Sequence, residues 1–181
     1  IRTVNVVDTT LPVITITGDA TVTIEVGSTY TDAGATALDN YDGDITSSIV
    51  TVNNVDTSVV GTYTITYNVS DAAGNAATPV VRTVNVLDTE APVITIIGGS
   101  TVTVNQGATY TDSGATATDN IDGVISGSIV IAGDVVNTSV GGSYLVTYNV
   151  SDAAGNAAVE VIRTVNVIPD TTAPVITLVG S

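Results

Sequence analysis

The 181-residue chain sets 18 Asp plus Glu against three Arg, a net charge of −15, and has no Cys, His, Met, Trp, Phe or Lys. No disulfide can staple it, the commonest catalytic bases and nucleophiles are missing, and so acidic a field repels nucleic-acid phosphates and anionic membranes while attracting cations. With 44% hydrophobic residues the composition still specifies folded cores, and the apolar runs are too short to span a bilayer.

Period-two alternation of apolar and β-branched residues with polar ones runs through the sequence, and no window shows a helical stripe. In chain order it predicts seven strands near residues 12–17, 21–26, 33–38, 47–53, 55–58, 61–70 and 77–87. They are separated by turns at Thr17-Gly18-Asp19, Val26-Gly27-Ser28, Asp42-Gly43-Asp44 and Ala73-Gly74-Asn75. The sixth is the clearest: Tyr63, Ile65, Tyr67 and Val69 share one face, and Thr62, Thr64, Thr66, Asn68 and Ser70 the other. The pattern then starts again. Arg2-Thr3-Val4-Asn5-Val6 recurs at 82–86 and 163–167, a period of 80 and then 81 residues, and Ser70-Asp71-Ala72-Ala73-Gly74-Asn75 recurs at 151–156. The one extra residue of the second copy falls in Ala132-Gly133-Asp134, opposite Asn53-Asn54, where a turn is expected. A domain-sized period marks an array, which supplies length or repeated contact surface more often than chemistry.

Short strands at this spacing predict an all-β fold, a sandwich of two antiparallel sheets in each copy. Gly61-Thr62-Tyr63-Thr64-Ile65 and Gly142-Ser143-Tyr144-Leu145-Val146 resemble the immunoglobulin tyrosine corner. Each whole copy, from Asp8-Thr9-Thr10-Leu11-Pro12 to Arg82-Thr83-Val84-Asn85-Val86, resembles the bacterial immunoglobulin-like repeats of large surface proteins and adhesins, modules also appended to some insecticidal crystal toxins. The disulfide and core Trp of antibody domains are missing, which leaves the core to Val, Ile, Ala and Tyr. The resemblance implies tandem immunoglobulin-like β-sandwiches of about seven strands, arranged head to tail. Residues 1–7 are then the last strand of a preceding repeat, 8–87 and 88–168 are complete domains, and 169–181 are the first strand of a following one. Short junctions carrying Pro12, Pro92, Pro169 and Pro174 favour stiff stacking over a flexible tether. With no start Met, signal peptide or anchor, the chain is expected to be an internal piece of a longer extracellular or bacterial cell-surface protein.

The immunoglobulin topology implied by the resemblance puts the 39–44 and 71–75 loops at the pole where the chain enters. Asp39, Asp42 and Asp44, then Asp71, with Asp8 from the entry linker, are the candidate ligands in the first domain. Asp88, Asp119, Asp122 and Asp152 are the counterparts in the second, with Glu90 and Asn156 nearby. Such oxygen-rich clusters are what calcium requires, six to eight hard oxygen ligands, and interdomain calcium is a theme of tandem adhesin repeats. Asp, Asn and Gly are equally good turn formers that bond their own backbones, so the same residues fit either role. Val124 stands where the first domain has Asp44, so the first site is expected to bind calcium more tightly.

The three Arg occupy one position of the last strand with inward parity, placing them at a sheet rim against Asp32 and Asp112, or else exposed on the strand. The Asn-x-Ser/Thr sequons at Asn68, Asn137 and Asn149 are expected by chance in an Asn- and Thr-rich chain.

The function expected is a non-catalytic extender of an adhesin-like protein, rigidified by calcium at its junctions, whose partners are neighbouring repeats and other copies of itself. A second reading is a subunit of a self-assembling fibre or surface layer that pairs lone terminal strands between chains. Lesser readings are a glycan-binding module, resting on Tyr41, and an ice- or sugar-binding face built from Thr15, Thr21, Thr23, Thr64 and Thr66.

Overall fold

A computed structural model describes residues 1–177, and the chain divides into two compact units, Ile1–Asp88 and Thr89–Ser181. In the first unit the strands are β1 (Val13–Ile16), β2 (Thr21–Glu25), β3 (Ala35–Asp39), β4 (Gly43–Asp44), β5 (Val50–Asn53), β6 (Gly61–Asn68) and β7 (Val80–Leu87), with a single 3-10 turn at Thr46–Ser48. They form a three-stranded sheet, β1-β3-β4, and a four-stranded sheet, β2-β7-β6-β5. The second unit repeats this with β8 (Val93–Ile96), β9 (Thr101–Asn105), β10 (Ala115–Asp119), β11 (Gly123–Val124), β12 (Val130–Gly133), β13 (Gly142–Asn149) and β14 (Val161–Ile168). Among the described residues no helix is long and apolar enough to cross a membrane.

Alternation decides which side chains go inside. Ile65 and Tyr67 on β6, Val84 and Val86 on β7, Ala37 on β3 and Ile14 on β1 form the first core, and Val146, Tyr148, Val165, Ala117 and Ile94 form the second. All pairings are antiparallel except β2 with β7 and β9 with β14, which are parallel. The parallel pair arises because the chain changes sheets between β1 and β2, through a turn at Gly18 with φ 78°. In both units the tyrosine hydroxyl closes the corner expected from the sequence: Tyr63 donates to the Val59 carbonyl at 2.9 Å and Tyr144 to that of Val140 at 3.0 Å.

The strand map differs at three places. Residues 55–58 form no strand: Asp56 Oδ1 accepts the Ser58 N–H at 2.9 Å and its hydroxyl at 2.6 Å, which bends the backbone out of extended geometry. The fourth strand is instead the short β4, inside the loop expected at 39–44, where Asp39 pairs with Gly43 and Leu38 with Asp44. Residues 1–7 and 169–177 form no strand in this chain, and the rest of the expected terminal strand, 178–181, lies outside the described residues.

The extra residue of the second repeat falls after Gly133, because β12 and β13 pair one to one as far as Gly133 opposite Val146, just as β5 and β6 do as far as Asn53 opposite Ile65. Gly133 turns at φ 87°, the Asp134 N–H donates to the Leu145 carbonyl at 2.7 Å, and the Asp134 carboxylate accepts the Leu145 N–H at 2.7 Å. A side chain thus substitutes for a ladder bond where β12 ends.

Arg82 and Arg163 are 1% exposed, so they lie in the core, deeper than the rim expected from parity. Each ion-pairs with the carboxylate suggested by the sequence, Asp32 or Asp112. Tyr67 donates to both oxygens of Asp32, at 2.8 and 2.7 Å, and Tyr148 to both of Asp112 at the same distances. The Arg82 guanidinium also donates to the carbonyls of Asp19, Gly34 and Thr17, so its charge is surrounded by acceptors. Burial is tolerated because nearly every donor is used. Arg2 is exposed.

Candidate metal centre

In the first unit three carboxylates from separate parts of the chain converge. Asp39 ends β3, Asp71 opens the loop after β6, and Asp8 lies in the strandless segment before β1; each offers an oxygen within 4.8 Å of the others. The local sequence fixes two of them. Asp39 Oδ1 accepts the N–H groups of Tyr41 at 2.8 Å and Asp42 at 2.9 Å, so the chain folds over its own carboxylate on leaving the strand. Asp71 Oδ1 accepts the Asn75 N–H at 2.7 Å and Oδ2 accepts the Asn75 side-chain amide at 2.6 Å. The Ser70–Ala76 bridge closes that loop at its base. Asp8 Oδ1 accepts the Thr10 N–H at 3.0 Å.

The remaining oxygens are unusual. Asp8 Oδ2 and Asp39 Oδ2 are buried and accept no hydrogen bond, and Asp39 as a whole is 8% exposed. A buried carboxylate oxygen without a donor is unfavourable, more so beside two other carboxylates. Burial alone would raise the Asp71 pKa, but hydrogen bonds from the Asn75 side chain and from backbone N–H groups outweigh it and hold the group below its ordinary value. It is therefore an anion at neutral pH, ready for a cation.

The other expected ligands do different work. Asp42 Oδ2 accepts the Ala72 N–H at 2.7 Å and laces the two loops together. Asp44 is exposed, and its pKa is lowered by the Thr46 hydroxyl and the Thr46 N–H, which donates at 2.9 Å. Neither belongs to the convergent set, so Val124, in Asp44's place in the second repeat, also falls outside it. There Asp119 and Asp152 repeat the arrangement. Asp119 Oδ1 accepts Ile121 and Asp122 N–H groups at 2.8 and 2.9 Å while Oδ2 is buried and unpartnered, and Asp152 is bonded twice by Asn156, at 2.7 and 2.8 Å. Asp122 laces the loops through the Ala153 N–H at 2.6 Å. Asp88, the sequence counterpart of Asp8, is the last residue of the first unit.

Asn75 itself was not singled out in the sequence, although its counterpart Asn156 was placed with the second set. The signal was present: Asn75 stands four residues after Asp71, at the spacing where one side chain can bond the other's carboxylate across a tight loop. Tyr41 is exposed beside Asp8, Asn40 and Asp42 in a shallow cleft, and Ile121 takes its place in the second repeat.

The family described as "Bacterial surface protein, Ig-like domain" matches residues 14–86 and 94–167. The chain is 35% identical over 136 residues to the pesticidal crystal protein Cry22Aa of Bacillus thuringiensis, covering 72% of this chain and 18% of that protein. It is 37% identical over 196 residues to hyalin of Lytechinus variegatus, covering 97% of this chain and 35% of that protein. It is 30% identical over 158 residues to the serine-rich adhesin for platelets of Staphylococcus aureus strain MRSA252, covering 74% and 11%. The chain thus spans about a third or less of the length of each relative. With one match over each sandwich, the chain belongs to the Ig-like domain family of bacterial surface proteins and carries that domain twice.

Proposed function

We propose that this segment is a non-catalytic extender of a large surface or secreted adhesin-like protein, stiffened by calcium bound at the acidic pole of its repeats. The family and the adhesin among its relatives support the surface role. The calcium reading rests on one observation: Asp8 and Asp39 converge with Asp71, and each has a buried oxygen, Oδ2, with no donor. Calcium takes hard oxygen ligands in flexible number, and three convergent carboxylates with water in the remaining positions suit it. Asp119 and Asp152 are the corresponding ligands in the second repeat. Because Asp8 precedes β1, an ion there ties the segment leading into the domain to two of its loops, which is how binding would stiffen an array. The sequence has no His, Cys or Lys, which removes three of the side chains most used in acid, base and nucleophilic chemistry.

Isothermal titration of the whole chain with calcium tests this. Saturable binding that D39N and D71N remove from the first repeat, and D44N leaves intact, supports the assignment. A wild-type chain that takes up no calcium at millimolar concentration overturns it.

A further inference from the structure

We infer that Asn75 is a positioning residue for the calcium site, its side-chain amide recruiting the Asp8 carboxylate to the two loop carboxylates. The inference rests on the calcium reading of the same pole. Asp39 and Asp71 reach the site because their own loops bend around them. Asp8 has no such support: its segment belongs to no strand, and the Thr10 bond shapes that segment without attaching it to the domain. The attachment comes from Asn75 Nδ2, which donates to the Asp8 carbonyl oxygen at 3.2 Å and to Asp71 Oδ2 at 2.6 Å.

One amide has two hydrogens, so both bonds form at once. The reverse amide orientation would set a carbonyl oxygen against two acceptors, which fixes the amide as donor. Asn75 is itself anchored, its N–H donating to Asp71 Oδ1 at 2.7 Å and its carbonyl accepting the Asp71 N–H at 3.1 Å. Few other side chains fit: Gln is one methylene too long, Ser too short to span both acceptors, and Asp has the right size but no hydrogens to give. Partners that orient metal ligands in this way govern metal affinity without touching the ion. Asn156 bonds Asp152 in the same manner in the second repeat.

The test uses the whole chain. It contains no Cys, so T9C, at an exposed position, carries a nitroxide whose mobility reports on the entry segment. In chelator, N75A and N75D should each mobilise the label while the first domain stays folded, and in a calcium titration N75A should weaken the first-repeat site by roughly tenfold or more. Unchanged label mobility in N75D would show that amide donation is not the link and overturn the inference. So would an N75A chain that binds calcium as tightly as wild type, or one that frees the label only by unfolding the whole domain. A wild-type chain that binds no calcium overturns the calcium reading, while label mobility in chelator still decides whether Asn75 holds the entry segment.

Discussion

Arg82 and Asp32, fifty residues apart in sequence, form an ion pair in which the guanidinium is 1% exposed and the carboxylate side chain 16%. The Tyr67 hydroxyl closes over the same carboxylate, and the Arg82 guanidinium lies 5.9 Å from the Tyr67 ring centre. A node of this kind joins β7, β6, the turn before β2 and the segment before β3 at one point. Removing one partner strands a largely buried charge, so Arg82→Met should destabilise the first domain by about 3–5 kcal/mol. R82M combined with D32L, which removes both charges, should recover much of that loss. Urea unfolding of the single and double variants checks this, with the second domain as internal reference.

Tyr67 gives the fold an alkaline limit. Burial first, then the hydrogen bond to Asp32 and the charge of that carboxylate, push its pKa well above 10.0, its ordinary value. A group whose pKa is raised on folding contributes stability that is complete below its unfolded pKa and lost as pH rises toward its folded one. The melting temperature should therefore fall steeply above about pH 10. Tyr67→Phe should flatten that fall while lowering stability near pH 7, and an unchanged alkaline slope in Y67F would count against the node.

Asp71 and Asp152 work in the opposite direction. Their folded pKa values lie below 3.8, because hydrogen bonds from Asn75 and Asn156 outweigh the effect of burial. Their contribution is present above about pH 4 and lost as pH falls below it. In chelator, the slope of melting temperature against pH from 5 to 3 should be shallower in D71N than in wild type.

Gly133 turns the chain at the end of β12. A Cβ there would stand 2.3 Å from the Leu145 carbonyl oxygen, at a backbone φ of 87° that L residues avoid. Gly133→Ala should destabilise the second domain by about 1–3 kcal/mol. Gly127→Ala, at a position with open space around it, should change stability by less than about 0.5 kcal/mol. Equal effects from the two substitutions would mean that the turn at Gly133 bears no strain.

Much of the fold was legible because alternation has one interpretation when no helical period competes. Parity put Arg82 inward, and an acidic residue two places after Tyr30 was the available partner. Depth was not legible: nothing in a strand's own sequence tells that carbonyls from Thr17, Asp19 and Gly34 will surround the guanidinium. The site was half legible. The loops that bear Asp39 and Asp71 and the linker that bears Asp8 could be found, but the closely spaced Asp42 and Asp44 were placed ahead of Asp71 and Asp8. Spacing reports which carboxylates are neighbours in the chain, whereas ligation depends on which oxygens are left over once the turns are made. All four use one oxygen in a local bond, Asp42 with Ala72 and Asp44 with Thr46, but of the four only Asp8 and Asp39 keep the second oxygen buried without a donor and lie with Asp71.

The thermal melt of the chain in excess calcium and again in chelator tests the central claim most directly. At about one hundred times its dissociation constant a bound ion adds roughly 2.7 kcal/mol, a rise of about 10–20 °C for a domain of this size. The account predicts such a rise in wild type and in D44N, with the first-domain transition of D39N unmoved. Coincident melts of the wild-type chain with and without calcium would contradict it, and would leave Asp8, Asp39 and Asp71 as turn formers in a metal-independent spacer.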